Sequence, residues 1–483
     1  MNLKEKELEI LREAVDRAEL KQAKKAVNTP EVKEIISIVE HFLRDKKLVC
    51  YGGTAINNIL PEEDQFYDKS IEIPDYDFFS DDALKHAKEL ADIYYKAGYN
   101  EVEAKSGQHY GTYKVFVNFI PVADITQLSD PLYGVVKKNA IMVDGILYAP
   151  PNYLRMSMYL ELSRPAGDVG RWEKILKRLI LLNKNYPLRG KKCDQEEFQR
   201  SFENHDEIKE EKEHDIYTIT RNSFMDQGLV FFGGFANTLY SKYMPRRERK
   251  QLEKIPDFDV LSENPERSAV ILKERLSENG VKNITIRKHK EIGEIIPEHY
   301  EVLVGKETIC FIYKTTACHS YNEIFISGKK VKIATIDTML SFYLAFVYSK
   351  KPYYDEDRIL CMSEYLFNVQ RKNRLKQKGL LKRFSIKCYG KQPTRESMRA
   401  EKAEKYKELK DNRKSKEYES WFLRYIPADK DKKKQEKKDE KEKKQEKKKT
   451  RKAAGSKAKK TRKKRKSKKA PTSANNILNI FGF

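Results

Sequence analysis

The strongest constraint on the fold is that the chain repeats itself. Residues 47–60 read KLVCYGGTAINNIL and residues 228–239 read GLVFFGGFANTL. Residues 73–79 read IPDYDFF and residues 255–261 read IPDFDVL. The offset is 181 residues from Gly53 to Gly234 and 182 from Asp75 to Asp257. Two short motifs recurring at one spacing point to one fold used twice. Two weaker echoes follow, PVADIT (121–126) against TTACHS (315–320) and YLRMSMYLEL (153–162) against MLSFYLAF (339–346). In each copy a short apolar run is broken by Gly-Gly and then resumes at helical spacing, as at Ala55, Ile56 and Ile59.

Around these motifs the pattern gives a mixed α/β (α+β) chain. Residues 3–26 read as a charged helix with Leu8, Leu11, Val15 and Ala18 on one face. Thr29-Pro30 opens a second helix that runs to about Arg44. A strand from Ile71 to Phe79 precedes a helix over 81–97, with Asp81 and Asp82 as capping residues. Strands are expected at 113–119 and 122–126, a β-rich stretch to Tyr148, and helices at 150–163 and 170–183. The expected parts are an N-terminal helix (1–28), a first globular copy (29–188), a linker (189–215), a second copy (216–392) and a helical extension (393–427). Trp421 and Phe422 could anchor that extension. A disordered Lys-rich tail (428–473) and an apolar C-terminal peptide (474–483) complete the chain.

The net charge of +24 is mostly a property of the tail. Residues 430–469 hold 24 Lys/Arg and 6 Asp/Glu, a net +18, which leaves +6 (24 − 18) for the rest. Such a tail suits a polyanion, RNA above all, through counterion release; a purely solvated tail is the alternative. No apolar run is long enough to span a membrane. The six cysteines form no metal-binding spacing, so they read as thiols of a reducing compartment, without zinc.

The chemistry concentrates in the first copy. Gly52 and Gly53 let a triphosphate approach the backbone at a helix N-terminus, and Thr54 offers a hydroxyl. Asp75 and Asp77 stand two apart in an expected strand, so both carboxylates share a face. Like charges so placed call for a cation between them, and hard oxygen ligands suit Mg²⁺. Asp124 ends an apolar stretch where a core strand would carry no charge. Three acids beside a phosphate turn are what two-metal phosphoryl or nucleotidyl transfer requires. Arg171, Lys174 and Arg178 share a helical face that could neutralise β/γ-phosphates or hold an RNA backbone, an ordinary solvated face being the alternative, with Arg155 a weaker candidate of the same kind.

The constellation resembles the polymerase-β-like nucleotidyltransferase superfamily, at Gly52, Gly53, Asp75, Asp77 and Asp124. More narrowly it resembles the poly(A) polymerase catalytic subunits of large DNA viruses, of the poxvirus and giant-virus type. The segments that carry this are YGGTAINNIL, IPDYDFFS, KVFVNFIPVADIT, YLRMSMYLELSRP and GRWEKILKRLILLN, within residues 48–190. The insertion EEDQFYDKSIE (62–72) departs from the wider superfamily and fits the viral group. The resemblance implies a duplicated nucleotidyltransferase fold. It implies template-independent addition of AMP from ATP to RNA 3′ ends, with Mg²⁺ or Mn²⁺ held by Asp75, Asp77 and Asp124. It also implies a viral protein of the host cytoplasm or the virion.

The second copy keeps Gly233-Gly234 and Asp257/Asp259. Aligning Ala123 with Ala317 puts Cys318 where Asp124 stands, and a neutral thiol is a poor partner for a hard cation. This copy is expected to be inactive and to serve as scaffold, RNA platform or subunit interface, the last allowing a homodimer. Two other readings stay open: a non-catalytic RNA-binding or processivity protein with a dead transferase fold, and a transferase of other nucleotide specificity.

Overall fold

A computed structural model describes residues 3–68, 70–191, 193, 210–245, 249, 256–293 and 295–429. The Lys-rich tail, the apolar C-terminal peptide and most of the expected linker lie outside the described residues. Met1–Tyr425 form one compact unit.

The first half runs α1 (Leu3–Val27), α2 (Pro30–Lys46), β1 (Val49–Tyr51), α3 (Gly52–Ile59), β2 (Tyr76–Ser80) and α4 (Ala83–Lys96). It continues with β3 (Val102–Ser106), β4 (Thr112–Val117), β5 (Ile120–Gln127), α5 (Asp130–Lys138), β6 (Ile141–Val143) and β7 (Ile146–Tyr148). Helices α6 (Pro151–Leu162) and α7 (Trp172–Asn185) close it. The second half has α8 (Glu210–Asp226), β8 (Val230–Phe232), α9 (Gly233–Ser241), β9 (Phe258–Ser262), α10 (Pro265–Glu278) and β10 (Ile284–His289). Then come β11 (His299–Val304), β12 (Glu307–Lys314), β13 (His319–Ile326), β14 (Lys329–Ala334), α11 (Ile336–Val347) and α12 (Glu356–Lys372). The last elements are β15 (Cys388–Tyr389), α13 (Arg395–Leu409), α14 (Lys416–Phe422) and β16 (Arg424–Tyr425).

The repeat seen in the sequence is a repeat of topology. One sheet is ordered β16-β3-β4-β5-β2-β1-β7-β6, the other β10-β11-β12-β9-β8-β14-β13-β15. Leaving out the added edge strands β16 and β15, seven strands match one for one. In each sheet only two neighbouring pairs among those seven are parallel, β2 with β5 and β1 with β7 in the first, β9 with β12 and β8 with β14 in the second. Helices α6 and α11 occupy matching places after the last strand of each copy and pack on each other. Tyr153 meets Tyr348 edge-to-face there, with ring centroids 5.1 Å apart.

Local chemistry explains the scaffold of the first copy. The Thr29 hydroxyl accepts from the Val32 amide and caps α2, with Pro30 at its first position. That helix buries Val32, Ile35, Val39, Phe42 and Leu43, each contributing about 1.5–3 kcal/mol. Strand β4 alternates strictly: Tyr113, Val115 and Val117 are buried while Thr112, Lys114 and Phe116 look out from the other face.

Several expectations need correction. Strand β2 begins at Tyr76, so Asp75 precedes it. The stretch before Tyr148 contains α5, and β3 was not anticipated. Helix α8 begins at Glu210, inside the expected linker. The apolar stripe of α1 is exposed, with Leu8 and Leu11 more than half open. Four cysteines are paired, Cys193 with Cys361 and Cys318 with Cys388, leaving Cys50 and Cys310 as buried thiols. Partners 168 and 70 residues apart in sequence meet only through the fold.

The C-terminal extension returns to the first copy. Trp421 is buried against Tyr110, Tyr113 donates to the Ser420 carbonyl (3.1 Å) and β16 pairs with β3.

Candidate active site

The site is a cleft of about 1260 Å³ lined from α2, α3, α6 and α7 and from strands β2 and β5. Gly52, Gly53, Thr54, Asp75, Asp77, Asp124, Arg171, Lys174 and Arg178 all line it. The structure therefore brings together every residue singled out from the sequence except Arg155.

Gly52 starts α3 with φ +74°, a left-handed conformation that L side chains rarely adopt. A Cβ there would stand 2.5 Å from Asp77 Oδ2. The glycine thus lets the helix start press directly on the carboxylate. No side chain caps α3, so its first amides are available to an anion. Thr54 does not face a phosphate: its hydroxyl donates to the Asp75 carbonyl (2.8 Å) and pins the turn that presents Asp75.

The strands set the acids side by side. Asp77 on β2 is directly opposite Asp124 on β5, and Asp124 is directly opposite Lys114 on β4. Residues directly opposite in neighbouring strands share a face. Burial pushes the Asp77 carboxyl up to about 7, and the charges of Asp75 and Asp124 push the same way. Asp75 opens into the cleft, yet the surrounding walls still thin its solvent; burial first and Asp124 second raise its pKa. Crowded acids held above their usual range are a mark of a functional site.

A divalent cation fits this donor set. All three side chains offer hard oxygens, and Asp124 Oδ1 is buried without a hydrogen-bond partner. Among the described residues no three His, Cys, Asp or Glu side chains form a ready-made ion cage. Asp124 is instead ion-paired with Lys114. Lys114 was not anticipated; the only signal was a cation in an otherwise apolar strand, KVFV.

The cationic wall comes from α7. Arg178 is buried, donates to the Tyr67 hydroxyl (2.6 Å) and lies over Phe66 at 4.9 Å. Its Nη1 would be 2.9 Å from a Cβ on Gly53, and its Nε has no hydrogen-bond partner. The guanidinium is thus beside the Gly52-Gly53 turn with donor capacity unused. Lys174 is depressed, chiefly by the charge of Arg178, then by burial and Arg171. Arg171 lies 3.8 Å from Glu161. Tyr67, from the 62–72 insertion, was a further residue not read from sequence.

Arg155 is structural. It is fully buried, donates to Asn183 Oδ1 (2.7 Å), and also bonds Asn152 and the Tyr186 carbonyl. It ties α6 to α7 and does not reach the cleft.

In the second copy the corresponding space is closed. Gly234, Asp257 and Asp259 line a cavity of about 20 Å³ together with Arg358 and Tyr343. Nothing of nucleotide size enters such a space. The register also corrects the expected alignment. Asp259 is opposite Phe311 on β12, as Asp77 is opposite Asp124 on β5. Phe311, not Cys318, stands at the Asp124 position; Cys318 precedes β13 and is bonded to Cys388. The third acid is absent, as expected, but a phenyl ring replaces it.

Residues 37–168 match the family model for the poly(A) polymerase catalytic subunit. The chain is 33% identical over 162 residues to the inferred poly(A) polymerase catalytic subunit of Acanthamoeba polyphaga mimivirus, covering 33% of this chain and 27% of that protein. It is 29% identical over 180 residues to the corresponding African swine fever virus protein (isolate Tick/Malawi/Lil 20-1/1983), covering 36% of this chain and 38% of that protein. The match thus spans between about a quarter and two-fifths of these relatives. The Megavirus polyadenylate synthase crystal structure shares the fold with a TM-score of 0.72 at 22% identity, over 89% of this chain and 86% of that one. Over residues 37–168 the chain is similar to the family of poly(A) polymerase catalytic subunits.

Proposed function

We propose that this chain is a polynucleotide adenylyltransferase that extends RNA 3′ ends with AMP units from ATP, without a template, at the cleft of the first copy. The observation that carries this reading is the row Gly52–Asp77–Asp124: a phosphate turn pressed against two facing carboxylates, with Asp75 completing the set. The relatives' names support the choice of reaction within the transferase class.

The chain's own residues divide the work by position. The α3 amides, Arg178 and Lys174 hold the triphosphate beside Gly53. Asp75, Asp77 and Asp124 would hold the divalent cations, Mg²⁺ or Mn²⁺, which would supply charge neutralisation and lower the pKa of the attacking hydroxyl. Asp124, on the far side of Asp77 from Gly52, receives the RNA 3′ end. The 3′-oxygen attacks the α-phosphorus in line, the bond to the β-phosphate bridge breaks, and pyrophosphate leaves with the charge of the phosphates. Positioning and electrostatics account for most of the rate. The second copy, with its closed cavity, acts as scaffold.

Incubation with a labelled RNA primer, each NTP separately and Mg²⁺ or Mn²⁺ tests the reading. Long extension with ATP is expected. Extension with another NTP alone would reassign the specificity, and no extension with any NTP would favour a binding protein.

A further inference from the structure

The row that holds the catalytic acids does not stop at them. Across the first sheet, directly opposite residues run Asp77, Asp124, Lys114, Lys105, Arg424. Being directly opposite, they share one face. This is the cleft face, since Asp77 and Asp124 line the cleft. Three cations on three successive strands therefore lead away from Asp124 to the sheet edge. At about 4.8 Å per strand, Lys105 lies about 10 Å and Arg424 about 14 Å from Asp124.

The cations are open to solvent. Arg424 is 77% exposed and Lys105 44% exposed. Glu103 is the acid among them, 3.3 Å from Lys105 and 3.4 Å from Arg424. Exposed pairs of this kind contribute about 0.2–1 kcal/mol, so phosphates can take their place. Lys105 also lies 4.1 Å above the half-buried Phe116 ring, on the same face, which gives the strip an aromatic surface beside its charges.

We propose that this strip, Lys114–Lys105–Arg424 with Phe116, is the track that holds the single-stranded 3′ segment of the RNA substrate. The assignment rests on the adenylyltransferase reading and deepens it. The order of the row chooses RNA over the triphosphate of ATP. Gly52 and Gly53 lie on the β1 side of the acids, and the cationic strip lies on the opposite side, where the nucleophile enters. The second copy supplies the contrast. Its equivalent row reads Asp259, Phe311, Glu301, Arg287. Glu301 there accepts from the Thr308 hydroxyl (2.6 Å), and the run of cations is gone. Strand β16, which supplies Arg424, ends five residues before Lys430, where the 24 Lys/Arg of the tail begin.

The test uses the full chain and a short oligoadenylate ending in a 3′-deoxynucleotide, with a thiouridine photo-crosslinker at the second or third nucleotide from that end. Cross-linked peptides are mapped for the wild type, K105Q/R424Q and R287Q. The expected result is cross-linking within 103–116, reduced about tenfold in K105Q/R424Q and unchanged in R287Q. The log–log salt slope of binding falls by about 1.4 in the double variant, for two phosphate contacts at about 0.7 each. Cross-links confined to α7 or to the second half, cross-links untouched by K105Q/R424Q, or none at all would overturn the track. Primer extension by the same wild-type preparation keeps the two readings apart. Cross-linking on the strip without extension sinks the polymerase and keeps the track; extension with cross-links elsewhere does the reverse.

Discussion

Lys114 stands directly across from Asp124 and donates to its carboxylate, so the third acid of the candidate site is held by a cation of its own chain. That contact sits at the boundary between the acids and the basic strip. It makes the first site electrostatically polar, with Gly52 on one side and Lys105 on the other. The same register in the second copy places Glu301 against Phe311, which removes both the acid and its partner.

Gly52→Ala should remove activity without unfolding the protein. A methyl group at φ +74° is strained and would stand 2.5 Å from Asp77 Oδ2. A shift of Asp77 by about 1 Å corresponds to about a hundredfold loss of extension rate. The thermal midpoint, read by scanning calorimetry, should drop by only a few degrees for the roughly 1–3 kcal/mol of local strain.

Asp77 gives the metal-free protein a pH dependence of defined sign. Its folded pKa of about 7 lies above the ordinary carboxylate value of 3.8. The folded state therefore binds the proton more tightly, and this contribution to stability is lost as pH rises from about 4 to about 7. In EDTA the thermal midpoint should fall over that window, and Asp77→Asn should flatten the fall. A divalent cation competes with the proton, so extension should rise toward neutral pH.

Arg178 and Arg155 are both buried arginines with opposite expected phenotypes. Arg178→Ala should raise the KM for ATP about ten- to a hundredfold, the range for losing a charge-assisted hydrogen bond, with Lys a poor substitute for the fork. Arg155→Ala leaves Asn183, Asn152 and the Tyr186 carbonyl unpaired. It should lower stability by about 1–3 kcal/mol, the cost of leaving buried acceptors unsatisfied, while the KM for ATP of the folded fraction stays unchanged. Steady-state kinetics and denaturant titration separate the two.

What was legible in the sequence was local. Gly-Gly and Asp-x-Asp announce themselves because a tight turn and a close pair of acids depend on residues a few positions apart, although Asp75 precedes the strand that carries Asp77. The α7 stripe of Arg171, Lys174 and Arg178 was readable for the same reason, through helical spacing. Helix α5 carried a start signal, Ser129-Asp130-Pro131, with Leu132, Val135 and Val136 at helical spacing, which the β-rich expectation for this stretch overlooked. What was not legible depends on register between distant strands. The Lys114–Asp124 pair requires the β4–β5 alignment. The step from Asp124 to Phe311 is 187 residues, against 181 from Gly52 to Gly233, chiefly because the connection from β10 to β11 (290–298) is longer than the one from β3 to β4 (107–111), and this misdirected the alignment to Cys318. Arg155 looked like its α7 neighbours because a sequence does not state which way a helix turns its long side chains. The two disulfides join positions that only the fold brings together.

The most direct test of one live centre is primer extension by two matched double variants, Asp75→Asn/Asp77→Asn in the first copy and Asp257→Asn/Asp259→Asn in the second. Each pair replaces the same carboxylates with neutral isosteres, so differences in folding are small and can be checked by thermal unfolding. Loss of at least a thousandfold in the first variant, with extension by the second within a few-fold of wild type, is the predicted result. Comparable losses in both, or a greater loss in the second, would contradict it.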